Sequence, residues 1–251
     1  MLQKKSYIRE HSKILMKRFN KNYKALVIGA TGSIGAGFVK DLEGDDQCEK
    51  VVQLSRSEPN EFGLTIDLKD ESSIAFAAMT LQLEGPFDLI LVSTGILHGE
   101  NLMPEKRLAD IDMNVLQETF AINTLGPALL LKYFLPLLTT NGLMGFISAK
   151  VGSIGDNRLG GWYSYRASKA ALNMLIKTAA IELKRQKPEA LVVSIHPGTV
   201  ISALSKPFAG GAGSKARDAS IASQEILKTL DGLKTEQSGG FFAYDGEELP
   251  W

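Results

Sequence analysis

The stretch Gly29-Ala30-Thr31-Gly32-Ser33-Ile34-Gly35 decides the fold of this 251-residue chain. It follows the apolar run Ala25–Gly29 and opens an amphipathic pattern over residues 34–43, which predicts a strand, a tight turn and a helix. The three glycines let the backbone turn sharply, and the next helix presents free N–H groups and the positive end of its dipole. We therefore predict a phosphate-binding turn, with a tight turn that holds no ligand as the alternative.

Apolar runs alternate with helical patterns along the rest of the chain. Most runs are almost continuously apolar, as in strands that a parallel sheet buries on both faces. The predicted strands are Ala25–Gly29, Val51–Ser55, Leu64–Ile66, Asp88–Ser93, Leu143–Ser148, Leu191–His196 and Phe241–Tyr244. The predicted helices span about 34–43, 70–81, 112–138, 162–186 and 217–231. This alternation is typical of one α/β domain, a doubly wound Rossmann sheet of about seven parallel strands with helices on both faces.

Composition excludes several classes of protein. The net charge is zero, so no overall attraction to nucleic acid or to an anionic membrane is expected. No run of about 18 apolar residues is present, so we expect no membrane span. Cys48 is the only cysteine and the three histidines lack ligand spacing, so we expect no disulfide and no metal site. We predict a cytoplasmic protein with neither a nucleic-acid nor a membrane partner.

Two segments of the chain lie outside this alternating pattern of strands and helices. Residues 1–23 are predicted to be a basic extension ahead of the domain 24–251, since residues 1–24 hold eight Lys or Arg against one acid. This head is a membrane-binding or nucleic-acid-binding helix, a solvated extension, or a segment upstream of a true start at Met16. Near the other end, the Gly- and Ser-rich segment 204–220 is predicted to be a mobile substrate loop.

The end of the second predicted strand bears on which nucleotide would bind. It reads Gln53-Leu54-Ser55-Arg56-Ser57 and carries no acidic residue, which would favour NAD by accepting hydrogen bonds from a free ribose 2′-hydroxyl. Arg56 could instead pair bidentately with a 2′-phosphate. This favours NADP(H), with an ordinary surface arginine as the alternative.

A candidate proton-transfer pair lies in Tyr165-Arg166-Ala167-Ser168-Lys169. Residues four apart are neighbours on one face of a helix, so the phenol and the ammonium group lie close together. Free tyrosine has a pKa near 10, and a nearby lysine cation stabilises the phenolate. We therefore predict that Lys169 lowers the pKa of Tyr165 and that Tyr165 acts as a general acid and base.

Residues 24–251 resemble the short-chain dehydrogenase/reductase family, and within it the C-factor-like proteins and sniffer-type carbonyl reductases. The resemblance is carried by Gly29–Gly35, Phe120–Asn123, Val151–Asn157, Tyr165–Lys169, His196–Val200 and Gly240–Gly246. It implies that Tyr165 exchanges a proton with the substrate, that Lys169 also binds the nicotinamide ribose, and that Asn123 holds a water relay from the lysine. It also implies that Asp67 contacts adenine and that the backbone after Pro197-Gly198 holds the nicotinamide carboxamide. The cofactor-binding set then comprises Gly29, Thr31, Gly32, Ser33, Ile34, Gly35, Arg56, Asp67, Leu68, Ser93, Gly95, Tyr165, Lys169, Pro197, Gly198, Val200 and Ser202.

One departure from the family pattern bears on catalysis. Ala149 stands where the family has a serine that holds the substrate carbonyl. Ser148 precedes it, although alternation points Ser148 to the other side of a regular strand, and Ser153 follows in a loop that could fold back. We favour Ser148 slightly as the replacement, with Ser153 as the second candidate. If neither serves, carbonyl polarisation is weakened and the rate falls by about 10²–10³.

Three functions remain open at this point. The favoured one is an NADP(H)-dependent oxidoreductase that interconverts a small-molecule carbonyl and an alcohol. The alternatives are a non-catalytic NADP(H)-binding signalling or sensor protein and a sugar-nucleotide epimerase on the same fold. The resemblance also implies a homodimer or homotetramer through the two long helices. Trp162, Tyr163 and His98 are candidate substrate contacts, each with ordinary packing or a loop position as the alternative.

Overall fold

The structure is a computed structural model that describes residues 15–208 and 216–251. Most of the predicted basic head, together with Gly210, Gly211 and Gly213 of the predicted substrate loop, lies outside the described residues.

The described chain forms one sheet of six parallel strands. These are β1 (Tyr23–Ile28), β2 (Cys48–Leu54), β3 (Phe87–Val92), β4 (Leu138–Ile147), β5 (Leu191–His196) and β6 (Phe241–Ala243). They lie in the order β2-β1-β3-β4-β5-β6, and every ladder is parallel. The predicted Rossmann architecture is confirmed. The strand order reverses between β1 and β3, and the carboxyl ends of these strands form the crevice in which such sheets bind ligands.

The count of about seven strands is wrong by one. Residues Leu64–Ile66 form no ladder, although the Ile66 N–H donates to the Ser55 carbonyl at 2.9 Å. Leu64 and Ile66 are buried in the same core as β1 and β2. Their apolar character therefore reflects packing against the sheet rather than membership of it.

Six helices of eight or more residues flank the sheet within the described ranges. They are α1 (Ser33–Glu43), α2 (Glu71–Leu81), α3 (Met113–Phe120), α4 (Gly126–Phe134), α5 (Tyr163–Gln186) and α6 (Ala219–Gly232). The single helix predicted over 112–138 is wrong in one respect, because a π-helical turn, Ala121–Leu125, divides it. Helix α4 runs so close to the segment before α2 that a Cβ on Gly126 would lie 2.6 Å from Leu68 Cβ.

Two hydrophobic layers enclose the sheet. The layer with α2, α4 and α5 contains Phe134 and Ile176, and the opposite layer with α1 and α6 contains Phe38 and Ile226. Met16 and Phe19 are buried in this second layer. The last part of the predicted N-terminal extension thus packs on the domain instead of extending from it.

One helical stretch in the described chain, Met113–Leu137, is long and apolar enough by composition to cross a membrane. It comprises α3, the π turn, α4 and a short 3₁₀ turn, and it packs against α2 and α5. It connects β3 to β4, so its apolar residues serve the layer that covers the sheet. Length and composition alone therefore give weak evidence for a membrane span here.

Candidate active site

The predicted phosphate turn is built on two close approaches. Gly29 has φ +88°, in the left-handed region that favours glycine. A Cβ on Gly35 would lie 2.1 Å from the Gly29 carbonyl oxygen and 2.7 Å from Ser93 Oγ. The Ser93 hydroxyl in turn bonds the Ile28 and Gly29 carbonyls, each at 3.1 Å. Ser93 therefore ties the end of β3 to the turn, and neither glycine can carry a side chain.

The start of α1 is open to an anion. Gly32 is its N-cap residue, and none of the described side chains caps it. Thr31, Gly32 and Ser33 are exposed, and Ile34 is half-buried. The first N–H groups of the helix and its dipole thus face a crevice, as binding of a pyrophosphate requires.

The ribose end of the crevice contains a cavity of about 220 Å³ between the turn and the end of β2. Arg56 is exposed beside it and forms neither a hydrogen bond nor an ion pair within the described parts of the chain. The Ser55 hydroxyl is committed, since it donates to the Glu58 carbonyl at 2.9 Å. Glu58 and Glu61 line the cavity, which the sequence analysis missed. A 2′-phosphate in this cavity would therefore be attracted by Arg56 and repelled by the carboxylates of Glu58 and Glu61.

Asp67 and Leu68 lie on the segment that leads into α2. One carboxylate oxygen of Asp67 accepts from the Lys69 N–H at 3.0 Å, and its backbone N–H donates to the Ser73 hydroxyl at 3.0 Å. Leu68 is buried against α4 through Gly126. These contacts fix the backbone of the segment predicted to face the adenine.

The residue before α5 sets the orientation of Tyr165. Gly160, Gly161 and Trp162 are all left-handed, with φ of +64°, +65° and +54°. A left-handed tryptophan is uncommon and costs on the order of 1–3 kcal/mol. Arg166 holds this run, because its Nε donates to the Gly161 carbonyl at 2.9 Å. The helix then begins at Tyr163, which places Tyr165 in its first turn.

The predicted pair is brought together and buried. Lys169 Nζ lies 5.9 Å from the centre of the Tyr165 ring and donates to the Ile147 carbonyl at 3.1 Å. Burial raises the pKa of Tyr165 above its ordinary value and lowers the pKa of Lys169 to about 8. The predicted lowering of the Tyr165 pKa is therefore wrong for the ligand-free protein. The cause is burial, because loss of hydration disfavours the charged phenolate.

Asn123 lies in the π turn and is fully buried. Its amide oxygen accepts from the Ile96 N–H, and its amide nitrogen donates to the Ile96 carbonyl, each at 2.8 Å. The amide nitrogen also donates to Ser168 Oγ at 3.2 Å. A Cβ on Gly95 would lie 3.3 Å from Asn123 Oδ1 and 3.4 Å from Lys169 Nζ. Asn123, Gly95 and Lys169 thus converge, as the predicted relay requires.

The two candidate serines have different environments. Ser148 is buried, and its hydroxyl donates to Asn173 Oδ1 on α5 at 2.8 Å. This contact argues against the slight preference for Ser148, because its hydroxyl is already bonded inside the core. Ala149 faces the other way and packs with Tyr165. Ser153 is buried and accepts from the Asp156 N–H at 3.1 Å, while its own proton has no acceptor among the described residues.

Apolar side chains cover Tyr165. Its ring centre lies 6.1 Å from that of Trp162, which lies 5.1 Å from that of Phe208. His98 connects the loops on either side, since its Nε2 lies 3.0 Å from the Ala203 carbonyl oxygen and its ring 5.8 Å from that of Phe208. The rest of this cover consists of Leu97, Ala149, Val151 and Leu204. Tyr163 is exposed and outside this cluster.

The segment after β5 is shaped by an arginine that the sequence analysis did not single out. Gly198 has φ +72°, and a Cβ there would lie 2.6 Å from Arg217 Nη2. The Arg217 guanidinium lies 3.3 Å from the centre of the Tyr244 ring and also donates to the Pro197 carbonyl. Val200 is buried, and the Ser202 hydroxyl accepts from the Ser205 N–H at 3.2 Å. These contacts hold the backbone predicted to bind a carboxamide.

Glu105 is a second residue that the sequence analysis missed. Its buried carboxylate accepts from the Ser164 N–H at 3.1 Å and from the Ser164 hydroxyl, and its carbonyl accepts from the Trp162 N–H at 2.5 Å. It thereby anchors the N-terminus of α5, one residue before Tyr165. Glu105 and Ser164 are 59 positions apart in the chain, so no local sequence pattern indicates their contact.

Comparison with known proteins identifies the family. The sequence model of the short chain dehydrogenases matches residues 23–210. The chain belongs to this family. Within the family, the chain is 30% identical over 233 residues to the 1-hydroxy-2-glutathionyl-2-methyl-3-butene dehydrogenase of Rhodococcus sp. (strain AD45), covering 90% of this chain and 98% of that one. It is 35% identical over 174 residues to the C-signal protein of Myxococcus xanthus, covering 66% of this chain and 94% of that one.

Solved structures show the same fold. The carbonyl reductase Sniffer of D. melanogaster superimposes with a TM-score of 0.78 at 26% identity, covering 92% of this chain and 100% of Sniffer. The NADPH-bound carbonyl reductase from chicken fatty liver gives a TM-score of 0.79 at 24% identity, covering 93% and 96%. The predicted resemblance to C-factor-like and sniffer-type proteins is thus confirmed, and the chain is a member of an oxidoreductase family.

Proposed function

We propose that this chain is an NADP(H)-dependent oxidoreductase that interconverts a carbonyl compound and an alcohol, with Tyr165 as the general acid and base. One observation carries the proposal: Tyr165 and the buried Lys169 meet Asn123 and Gly95 at the sheet edge that also holds an uncapped phosphate turn. A solvated helix pair would not need this burial or these partners. The family match and the carbonyl reductases of the same fold support the reaction class.

The crevice residues fit a dinucleotide. Within the described residues the start of α1 is uncapped, and it and the cradle that side chains on Gly29 and Gly35 would fill suit a pyrophosphate. Arg56, which is unpaired in the same described ranges, suits a 2′-phosphate. Thr31, Gly32, Ser33, Ile34, Asp67, Leu68, Ser93, Gly95, Pro197, Gly198, Val200 and Ser202 complete the proposed contacts. When bound, the nicotinamide supplies or accepts the hydride. The chicken carbonyl reductase, which binds NADPH, is consistent with this choice of cofactor.

Burial of Tyr165 suits it to the reductive direction. A raised pKa keeps the phenol protonated until a carbonyl oxygen is positioned to take the proton. Lys169 lies close enough to stabilise the phenolate that forms, and the Asn123 side chain holds the adjacent backbone for a relay that returns a proton. In the oxidative direction the same phenolate would accept the alcohol proton.

Ser153 is the proposed donor to the substrate carbonyl. Its hydroxyl proton is unused among the described residues, and Gly152 before it packs directly on Lys169. The Ala149 methyl leaves no hydroxyl at the strand end beside Tyr165. The apolar cover of Trp162 and Phe208 favours a small substrate whose carbonyl is flanked by apolar groups.

Assembly and compartment belong to the same proposal. Leu125, Met174 and Ile181 are more than half exposed on the π turn and α5, which supports a homodimer or homotetramer through this face. A free Cys48 is consistent with a cytoplasmic location. Neither nucleic acid nor a membrane is part of the proposed function.

A second function is favoured by Ala149 and by the similarity to the C-signal protein. A chain that lacks the strand-end hydroxyl could bind NADP(H) without efficient turnover and act as a signalling or sensor protein. The buried, conventionally arranged Tyr165–Lys169 pair argues for the enzyme.

Titration of the purified protein with NADPH and NADH, followed by nicotinamide fluorescence, tests the proposal. NADPH should bind more tightly than NADH, and Arg56→Ala should weaken NADPH binding by about tenfold, the loss of one charge-assisted phosphate contact. Lys184→Ala, an exposed lysine on α5, is the matched charge-removal control. A protein that binds neither nucleotide, or an Arg56→Ala variant that loses both equally, contradicts the cofactor assignment.

A further inference from the structure

The segment after β6 reverses and pairs with that strand. The Ala243 N–H donates to the Glu247 carbonyl at 2.8 Å, and the Leu249 N–H donates to the Phe241 carbonyl at 2.7 Å. Phe242 and Glu248 form an antiparallel bridge, and Leu249 is buried against Phe241. Residues Glu247–Trp251, here called the return segment, therefore run back along the edge of the sheet.

The return segment ends on the loop that follows β4. The Trp251 ring stacks on Phe241, with ring centres 5.9 Å apart and planes inclined by 21°. The Trp251 carbonyl accepts from the Gly155 N–H at 2.7 Å. A Cβ on Gly155 would lie 3.1 Å from that oxygen and 3.6 Å from Pro250 Cβ. A side chain at position 155 would therefore displace the return segment by a few tenths of an ångström.

The same loop touches both proton-transfer residues at its other end. A Cβ on Gly152 would lie 2.8 Å from Lys169 Cβ, so the loop packs directly on α5 at the lysine. Val151 packs against the cluster that contains Ala149 and Tyr165. Ser153, between these contacts and Gly155, accepts from the Asp156 N–H. A displacement of Gly155 would therefore also move Ser153, which lies two residues earlier in the same loop.

We propose that the return segment is a positioning element for catalysis, in which Trp251 holds the loop of residues 150–157 against Tyr165 and Lys169. The inference rests on the proposed function, since it assigns the loop a role in carbonyl reduction.

The geometry separates this role from simple stabilisation. Trp251 is 43% exposed and its ring stacks on the buried Phe241, so its removal lowers stability to the extent that it uncovers Phe241. Its carbonyl accepts from the Gly155 N–H of the loop, and its ring, which stacks on Phe241, holds that carbonyl in place. Loss of the ring should therefore loosen the loop beyond what the loss of stability alone explains.

The test compares Trp251→Ala, Trp251→Phe and Gly155→Ala with the unmodified chain. Trp251→Ala should lower kcat for carbonyl reduction roughly 10- to 100-fold, the cost of about 1 Å of misplacement, with NADPH affinity within about twofold. Trp251→Phe keeps a ring on Phe241 and should recover most of kcat. Gly155→Ala should resemble Trp251→Ala, and the double variant should be no worse than either, because both act through one contact.

Leu233→Ala, on the opposite face of the sheet, is the control for stability alone. It should lower Tm at least as much as Trp251→Ala and leave kcat per folded molecule unchanged. A Trp251→Ala variant that keeps kcat and its pH profile, or loses activity only in proportion to its unfolded fraction as Leu233→Ala does, overturns the proposal.

Hydrogen exchange separates failure of this inference from failure of the proposed function. Amides of residues 150–157 should exchange faster in Trp251→Ala and not in Leu233→Ala. If the unmodified chain reduces no carbonyl, the proposed function fails, and unchanged exchange in Trp251→Ala would independently refute the return segment as the support of the loop.

Discussion

Replacing Lys169 with methionine should stabilise the ligand-free protein at neutral pH while removing its activity. The lysine is buried, and burial lowers its pKa from 10.5 to about 8. At pH 7 the folded protein must nevertheless hold it charged. This opposes folding by about 3 kcal/mol, at about 1.36 kcal/mol per pKa unit.

The methionine also removes a hydrogen bond. Lys169 Nζ donates to the Ile147 carbonyl, and loss of that donor leaves a buried acceptor at a cost of about 1–2 kcal/mol. Methionine fills a similar volume without a charge, so the packing of the aliphatic part is retained. The expected net gain at pH 7 is therefore about 1–2 kcal/mol.

The pH dependence gives a sharper test, because it does not depend on the lost hydrogen bond. The unfolded chain binds a proton on this lysine up to pH 10.5 and the folded chain only up to about pH 8, so stability rises with pH between these values. The penalty is fully present below pH 8 and absent above pH 10.5. From pH 7 to pH 9.5 the unmodified protein should gain about 2 kcal/mol relative to Lys169→Met.

Urea unfolding followed by circular dichroism at these two pH values measures the difference. Lys184→Met, an exposed lysine on the same helix, should change stability by no more than about 0.5 kcal/mol and should track the unmodified protein with pH. If Lys169→Met is destabilised and its difference from the unmodified protein is the same at both values, the lysine is not held in a desolvated site and the reasoning is refuted.

Four further substitutions test the neighbouring contacts. Glu105→Gln should destabilise the start of α5 by about 1–2 kcal/mol, because the Ser164 N–H loses a charged acceptor at the helix N-terminus, and a lower Tm measures it; an unchanged Tm would contradict the anchoring role. Ser153→Ala should lower kcat by about 10²–10³, whereas Ser148→Ala should lower the free energy of unfolding by about 1–3 kcal/mol through its orphaned acceptor, and equal kcat losses would refute the assignment. Ala149→Ser should raise kcat in carbonyl reduction, and a lower kcat with unchanged stability would show that the strand end does not face the carbonyl.

Much of the fold was predictable because its signals are local. A continuous apolar run before a glycine turn indicates a buried parallel strand, and β1, β3 and β5 lie where that pattern occurs. The prediction of a strand at Leu64–Ile66 was wrong because Leu64 and Ile66 are buried equally well beside a sheet or within it. The π turn at Ala121–Leu125 was not predictable, since one extra residue in a helical turn barely changes the apolar spacing.

The candidate site likewise contains residues that local sequence patterns predict and residues that they do not. Tyr165 and Lys169 are four residues apart in one helix, so their proximity follows from helical geometry. Alternation along β4 indicated that Ser148 and Ala149 face opposite ways, and the preference for Ser148 went against that indication. Glu105 and Arg217 act across long stretches of chain, where their contacts depend on tertiary packing that no local pattern records.

The central claim is that hydride reaches a carbonyl carbon while Tyr165 supplies the proton. The most direct test incubates the protein with C4-deuterated NADPH and a panel of small aryl and alkyl ketones and aldehydes, and measures deuterium in the alcohol by mass spectrometry. The account predicts an alcohol carrying one deuterium from the unmodified protein, and a rate at least about 10³-fold lower from Tyr165→Phe with NADPH affinity retained. Absence of labelled alcohol from every carbonyl despite bound NADPH, or equal label from Tyr165→Phe, would contradict it.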